Sequence, residues 1–334
     1  MPGVRTLRKI QLGAETTAGA ATTATALWLG NGTIEDQRVR VMPEIDQGLM
    51  MPVAQSYDAG LLAVLTMEET EATFEQLSYI LSAAIEDVTT GVRDGTAGSG
   101  YVYQHDLTTN AQVTPQTYTI EMGDDQRVDE MEYAVVREFS LSGAKNEAWM
   151  VNATWVGRQV TDAEFTTSIA TPSIEPILFN KSKLYIDTSG GTIGTGLTTA
   201  TFLGFSLDWT TGFQPIFAGD GALYYAAIKQ ISPAVTGTLI LENNATGEAE
   251  ITAARTATTQ RLIRIISEGA ALTTAGTYTY GTARIDLAIE YTAVPALGED
   301  EGDDIVEMPF RVVWLTAKSL GGQILVVNEL ATLT

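Results

Sequence analysis

The chain has 334 residues, enough for two domains that each bury a core of their own. Its 45% hydrophobic content is that of a folded protein, and 41 acidic against 19 basic residues give a formal net charge of -22. That balance excludes an ordinary nucleic-acid binder, which needs clustered Lys and Arg, and the lack of cysteine excludes disulfides and thiolate metal sites.

The opening MPGVRTLRKIQLGAE lacks the apolar core of a signal peptide, and no apolar run approaches the ~20 residues that cross a bilayer. Synthesis and folding in a cytoplasm is the expectation. Residues 1–60 read as irregular apart from a short strand at Val39-Arg40-Val41, with Pro43 and Pro52 interrupting pairing. A stretch of this length without structure fits an arm ordered against a neighbouring subunit, or equally one packed on its own domain.

A helix is predicted over residues 73–86. Thr73 and Gln76 form a capping box, and Phe74, Leu77, Leu81, Ala84 and Ile85 fall on one face, which would cover a sheet. Residues 89–115 read as a flexible surface or inter-subunit loop: Asp94-Gly95 and Gly98-Ser99-Gly100 are turn signals, and GTAGSG lacks the Lys-Ser/Thr ending of a phosphate loop. His105, the sole histidine, is expected to be solvated there, and no G-x-S-x-G elbow offers it a nucleophile.

Strands follow over residues 116–160. Tyr118, Ile120 and Met122 alternate with Thr117, Thr119 and Glu121, which predicts one buried and one wet face. Trp149 and Trp155 lie an even number of positions apart, as core residues or as interface anchors. A polar connection near residues 160–176 divides the chain into β domains 1–165 and 166–334. In the second, strands are predicted near residues 202–209, 235–242, 261–267, 283–291 and 306–315, and a short helix over 224–231. Phe205-Ser206-Leu207 echoes Phe139-Ser140-Leu141, the sign of one plan used twice. Ile324, Leu325 and Val326 form a strand too apolar for a free tail, hence one paired in the chain or with a neighbour.

No catalytic constellation accompanies these elements. Glu299, Asp300, Glu301, Asp303 and Asp304 gather oxygen ligands that would suit calcium, but they depart from the EF-hand spacing and fit a hydrated hairpin tip better. Asp124, Asp125, Asp129 and Glu130 read as hydrated loop residues beside an open space.

Several segments together resemble the tail tube (major tail) proteins of long-tailed, non-contractile phages. They are Arg8 to Thr16 with Gly19, the helix near 73–86, TYTIEMGD, EFSLSG, NATWVGRQV, GFSLDW, VTGTL and the closing acidic hairpin. The resemblance implies a mainly β fold of two tail-tube-like sandwich or barrel domains with one or two short helices. It also implies an entirely structural role without cofactors. Subunits would form rings, trimeric with pseudo-sixfold symmetry or hexameric if the second domain is peripheral. The rings would stack into the virion's tail tube, assembled in the host cytoplasm. The partners implied are further copies of the chain, tape measure, tail terminator and tail tip proteins, and DNA passing without specific binding. Under this resemblance Glu121, Asp124, Asp125, Asp129 and Glu130 become lumen-lining candidates, and Trp149, Trp155, Ile324, Leu325 and Val326 interface candidates. Two other readings suit acidic Thr-rich β domains: a surface-layer protein, and a glycan-binding or hydrolytic sandwich for which no carboxylate pair can be nominated.

Overall fold

Val, Ile, Thr and aromatic residues crowd the segments that alternate in polarity, and in the computed structural model those segments are antiparallel strands. The structure describes residues 5–46, 48, 50–51, 55–107, 112–256 and 259–333. The fold is mainly β. The chain runs through β1 (Lys9–Ala14), β2 (Ala26–Trp28), β3 (Gly32–Asp36), β4 (Val39–Val41), β5 (Tyr57–Gly60) and β6 (Ala63–Glu71). The helix α1 (Leu77–Ala84) comes next, followed by β7 (Val92–Arg93), β8 (Tyr101–Asp106), β9 (Tyr118–Gly123) and β10 (Val128–Ala144). Then come β11 (Met150–Gly157), β12 (Val160–Ala163), β13 (Ser182–Thr188), β14 (Phe202–Thr210), β15 (Phe213–Ile216) and β16 (Ala227–Gln230). The last part holds β17 (Ala234–Glu242), α2 (Ala245–Ala254), β18 (Gln260–Ala271), β19 (Tyr280–Tyr291), β20 (Leu297–Asp300), β21 (Asp303–Val312) and β22 (Gly322–Asn328).

Eight strands lie side by side in the order β3, β6, β11, β10, β14, β17, β21, β20, and each neighbouring pair is antiparallel. The centre of this row is the β10–β14 pair, where Leu141 faces Leu207 and Phe139 faces Trp209. The two FSL segments that echo each other in sequence are therefore direct neighbours. Beyond the row, the end of β21 joins β19, which carries β18 and β13 on one side and β22, β8 and β7 on the other. The start of β10 leaves the row to pair with β9 and β12, and β9 continues to β1 and β2.

One core serves both halves. Phe139 stacks on Trp209 at 5.6 Å between centroids, and Trp149 meets Phe205 edge-on at 5.1 Å, each pair joining a residue from before position 165 to one after it. The predicted boundary between 1–165 and 166–334 is thus not a break in hydrogen bonding or packing. β10 bonds β14 across it, and β22 from the end of the chain lies between β19 and β8.

Several expectations need correction. The described part of residues 1–60 is not irregular: β1 is paired on both sides and β3 on one, while residues 1–4, 47, 49 and 52–54 of that prediction, Pro52 among them, lie outside the described residues. Residues 89–115 contain β7 and β8 instead of being one loop, although residues 108–111 of that prediction lie outside the described residues. The helix predicted over 224–231 is the strand β16, and α2 was not foreseen. α1 is shorter than residues 73–86 and buried on every side, Ser78 and Ser82 included. Thr73 does accept the Gln76 amide at 3.2 Å, but the Gln76 side chain donates to the Leu27 carbonyl instead of closing the box. β9 has no wet face either, since Thr119 and Glu121 are as buried as Ile120.

Candidate functional site

The row of eight strands has one face in the core; on the other, Val135 and Val156 are buried in a second apolar cluster with Val113 and Phe213, Val64 is buried opposite Val156, and the rest is open to solvent. Alternation and register put Leu65, Trp155, Phe139, Leu207, Leu239 and Met308 inward, all buried. Outside that patch the intervening residues in the open part of this face include Thr66 and Glu68, Asn152 and Thr154, Ser140 and Ser142, Ser206 and Asp208, Thr236 and Thr238, and Glu307. These are short hydroxyl, amide and carboxylate side chains, half-buried or exposed. On this face Ser140 donates to Asp208 across the β10–β14 pair at 2.7 Å. Beyond the start of β10, the eight strands contain two basic residues, Arg137 and Arg311, each in an ion pair, with Glu138 at 3.5 Å and Glu290 at 2.9 Å. The result is a broad sheet surface of negative sign with no free cation among its described strand residues. Nothing in the sequence flagged it as one surface, because its residues come from eight strands. The signal available was the polar half of each alternation, as in NATW, SLS, SLD and VTGT.

The row ends in two edges. Among the described residues β3 has no second strand partner beyond β6, and β20 none beyond β21. The β20–β21 turn is tight, with Glu301 and Gly302 both at positive φ, 53° and 93°, as a two-residue hairpin loop requires. Between β3 and β6 the chain leaves the body as an arm built on the β4–β5 pair. Its base is fixed by Arg40 and Asp58 at 2.8 Å, while Val39, Met42, Met50, Met51 and Tyr57 are exposed.

The residues singled out in the sequence fall elsewhere. Trp149 and Trp155 are fully buried, donating to Ser182 Oγ at 3.0 Å and Met67 Sδ at 3.2 Å, so they anchor the core and not an interface. Ile324, Leu325 and Val326 are buried in a strand paired on both sides within the chain, which overturns them as interface residues too. Glu121 is 3% exposed and accepts from the Thr166 amide at 2.7 Å and hydroxyl at 2.6 Å, so it lines no bore. Asp124, Asp125, Asp129 and Glu130 lie at the β9–β10 turn and on the part of β10 outside the row. Asp124 accepts the Gln126 and Arg127 amides, which hold its pKa below the usual carboxylate range, and Asp129 pairs with Arg127 at 2.8 Å. Glu130 faces Glu121 across the strand pair, and burial first, then neighbouring carboxylates, raises its pKa.

The acidic hairpin holds no cluster of metal-ligand geometry among the described residues. Glu299 and Asp304 face each other, and Lys145 supplies the local positive charge, 2.7 Å from Asp300 and 2.8 Å from Glu301. His105 is not a solvated loop residue. It is buried on β8 with Nδ1 3.2 Å from the Glu86 carbonyl, and burial lowers its pKa to about 4.

Sequence reasoning also missed a buried polar node that fastens the chain's first segment to the body. The Glu15 carboxylate, 5% exposed, accepts from the Gly19 and Tyr133 amides, both at 2.8 Å, and from Thr117 and Thr119 at 2.7 and 2.9 Å. Beside it Arg158 donates to the carbonyls of Gly19, Tyr225 and Ala226 and stacks on Tyr133. The four donors on Glu15 and the three carbonyls on Arg158 all come from this chain, which makes the node architecture. No helix among the described residues is long and apolar enough to cross a membrane. A scan against family models finds none that matches the chain, and a search of curated proteins finds no match either.

Proposed function

We propose that this chain is the structural subunit of a phage-type tail tube, a non-enzymatic protein whose copies close sideways into rings that stack around passing DNA. The observation that carries the reading is the eight-strand row: one face in the core, the other acidic and hydroxyl-rich outside the patch that Val113 and Phe213 cover, with one open strand edge at each end among the described residues. A row with two open edges is completed by closure, which removes both. Eight strands at ~4.8 Å, tilted by ~35°, span about 47 Å of circumference, so three copies give a backbone diameter of about 45 Å and six about 90 Å. Three copies enclose a passage suited to one duplex; six would enclose mostly water. This favours the trimeric, pseudo-sixfold ring, the two sides of the β10–β14 seam each supplying four strands.

The acidic face suits a conduit. Carboxylates repel phosphate over a screening length of ~8 Å at physiological salt, and no cation is free to hold it. The exposed apolar arm supplies a contact between rings, a heterologous joint that propagates a filament. Electron microscopy of the purified protein at rising concentration tests the reading. Rings of three copies, alone or stacked, are expected; a monomer under all conditions, with or without tail partners, would overturn it.

A further inference from the structure

Resting on that reading, we infer which edges meet and what selects them: β20 of one copy pairs antiparallel with β3 of the next, the acidic hairpin tip of the first seated against the arginine-bearing segment before β1 of the second.

Direction, stagger and charge each point to this joint. Strand directions alternate through all eight members of the row, so β20 and β3 run oppositely and a copy placed alongside continues the antiparallel pattern. The row is also staggered. Gly32 is level with Met67, Ala153, Phe139, Trp209 and Val235, and the next residue, Thr236, faces Arg311. Yet β20 pairs with β21 only between Val306 and Asp303, at the other end of that strand. The offset is roughly six to nine residues, ~20–30 Å, across eight strands spanning ~38 Å, which is a tilt of about 30–40°. Closed barrels tilt their strands by about 35–45°, so the free edge of β20 is displaced as closure requires.

The same displacement sets the tip level with the start of β3 on the neighbour. There Arg5, Arg8 and Lys9 line a cleft of about 150 Å³ with Asn31, Gly32 and one carboxylate, Glu68. Three cations against Glu68, with Asp124 close enough to Arg8 to feel its charge, leave a local positive excess in a chain of net charge -22. The tip opposite carries Glu299, Asp300, Glu301, Asp303 and Asp304 with Lys145 as their cation. Complementary charge at the two ends of one row fixes orientation and suppresses edge-to-edge pairing of like ends.

The chain lacks cysteine, so engineered thiols report the joint cleanly. Asp300→Cys is combined with Thr33→Cys in one variant and with Asn31→Cys in another, two residues apart on the edge. Circular dichroism and monomer mass on reduction check that each variant is folded. Oxidation of assembled protein is expected to give a covalent closed ring in one of them. Arg8→Glu is expected to lower ring yield at least tenfold, and adding Asp300→Lys with Asp303→Lys to restore it. If the wild type forms rings but neither thiol pair links copies, or Arg8→Glu assembles as the wild type does, the joint is wrong and the ring reading stands. If the wild type forms no rings, both fall.

Discussion

Two polar regions of this molecule put carboxylates to opposite uses. Around Glu15, Glu121 and Arg158 the polar atoms are buried and matched, carboxylate to amide and hydroxyl, guanidinium to carbonyl. On the outer face of the eight-strand row Glu68 and Glu307 stand in solvent, and Asp208, also exposed, keeps a single bond from Ser140. Net acidity alone cannot tell these apart. What separates them is whether the chain itself supplies the partners: where it does, the residue holds the fold, and where it does not, the surface is available to something else. The comparison therefore predicts large stability effects in the core and the node, and small ones on the open face.

The largest effect is expected where both halves of the chain share one core. Trp155→Ala removes a fully buried indole that meets Tyr118 edge-on at 5.8 Å, and should cost about 3–5 kcal/mol in denaturant unfolding. Because the core is common, the loss should appear as a single shifted transition. Two transitions, with only one moved, would show that the halves unfold independently.

Glu15→Ala comes next. It strands two amides and two hydroxyls in a buried site, and about 3 kcal/mol is expected from unsatisfied donors. Amide exchange should speed up most in β1 and in the Gly19 turn, whose partner is lost. Unchanged exchange there would mean that the node is not what fastens this segment.

His105 sharpens the contrast through pH. The folded chain keeps the imidazole neutral down to about 4, whereas an unfolded chain takes up the proton near 6.5. Between those values the unfolded state binds more protons, so stability rises with pH. The contribution is complete above about 6.5 and lost as pH falls toward 4, about 3 kcal/mol in all. The unfolding free energy of His105→Phe, measured at pH 7 and at pH 4.5, should fall less on acidification than that of the wild type. Equal falls would place the acid sensitivity in other groups.

How much of this was legible follows the range of the forces involved. Segments whose burial alternates, such as residues 202–209 and 235–242, were read almost to the residue, because one buried face imposes a period of two. β9 broke that rule: its second face is covered by residues 15–25 and by Thr166, contacts remote in sequence that leave no local mark. α2 was missed although Asn244 caps it by accepting the Thr246 and Gly247 amides, because its apolar residues define no clear stripe. The candidate surface was the least legible part. A face assembled from every second residue of eight strands exists only once their order is known, and that order departs from the order in the chain.

The smallest stability effect should carry the functional information. Asp208 is exposed, and its bond from Ser140 can be kept by an amide oxygen, so Asp208→Asn should change stability by less than about 0.5 kcal/mol. Reversing the sign asks more of the same face. Asp208→Lys with Glu307→Lys places two cations on the same face, on either side of β17, at little structural cost, since both side chains are exposed. Each new phosphate contact should steepen the fall of log affinity with log salt by about 0.9, so the variant should retain DNA at low ionic strength and release it as salt is raised. The wild type should show no such retention at any salt. DNA binding by the variant no tighter than that of the wild type would mean that this face never meets phosphate, and the polar row would then be an outer wall and not a passage.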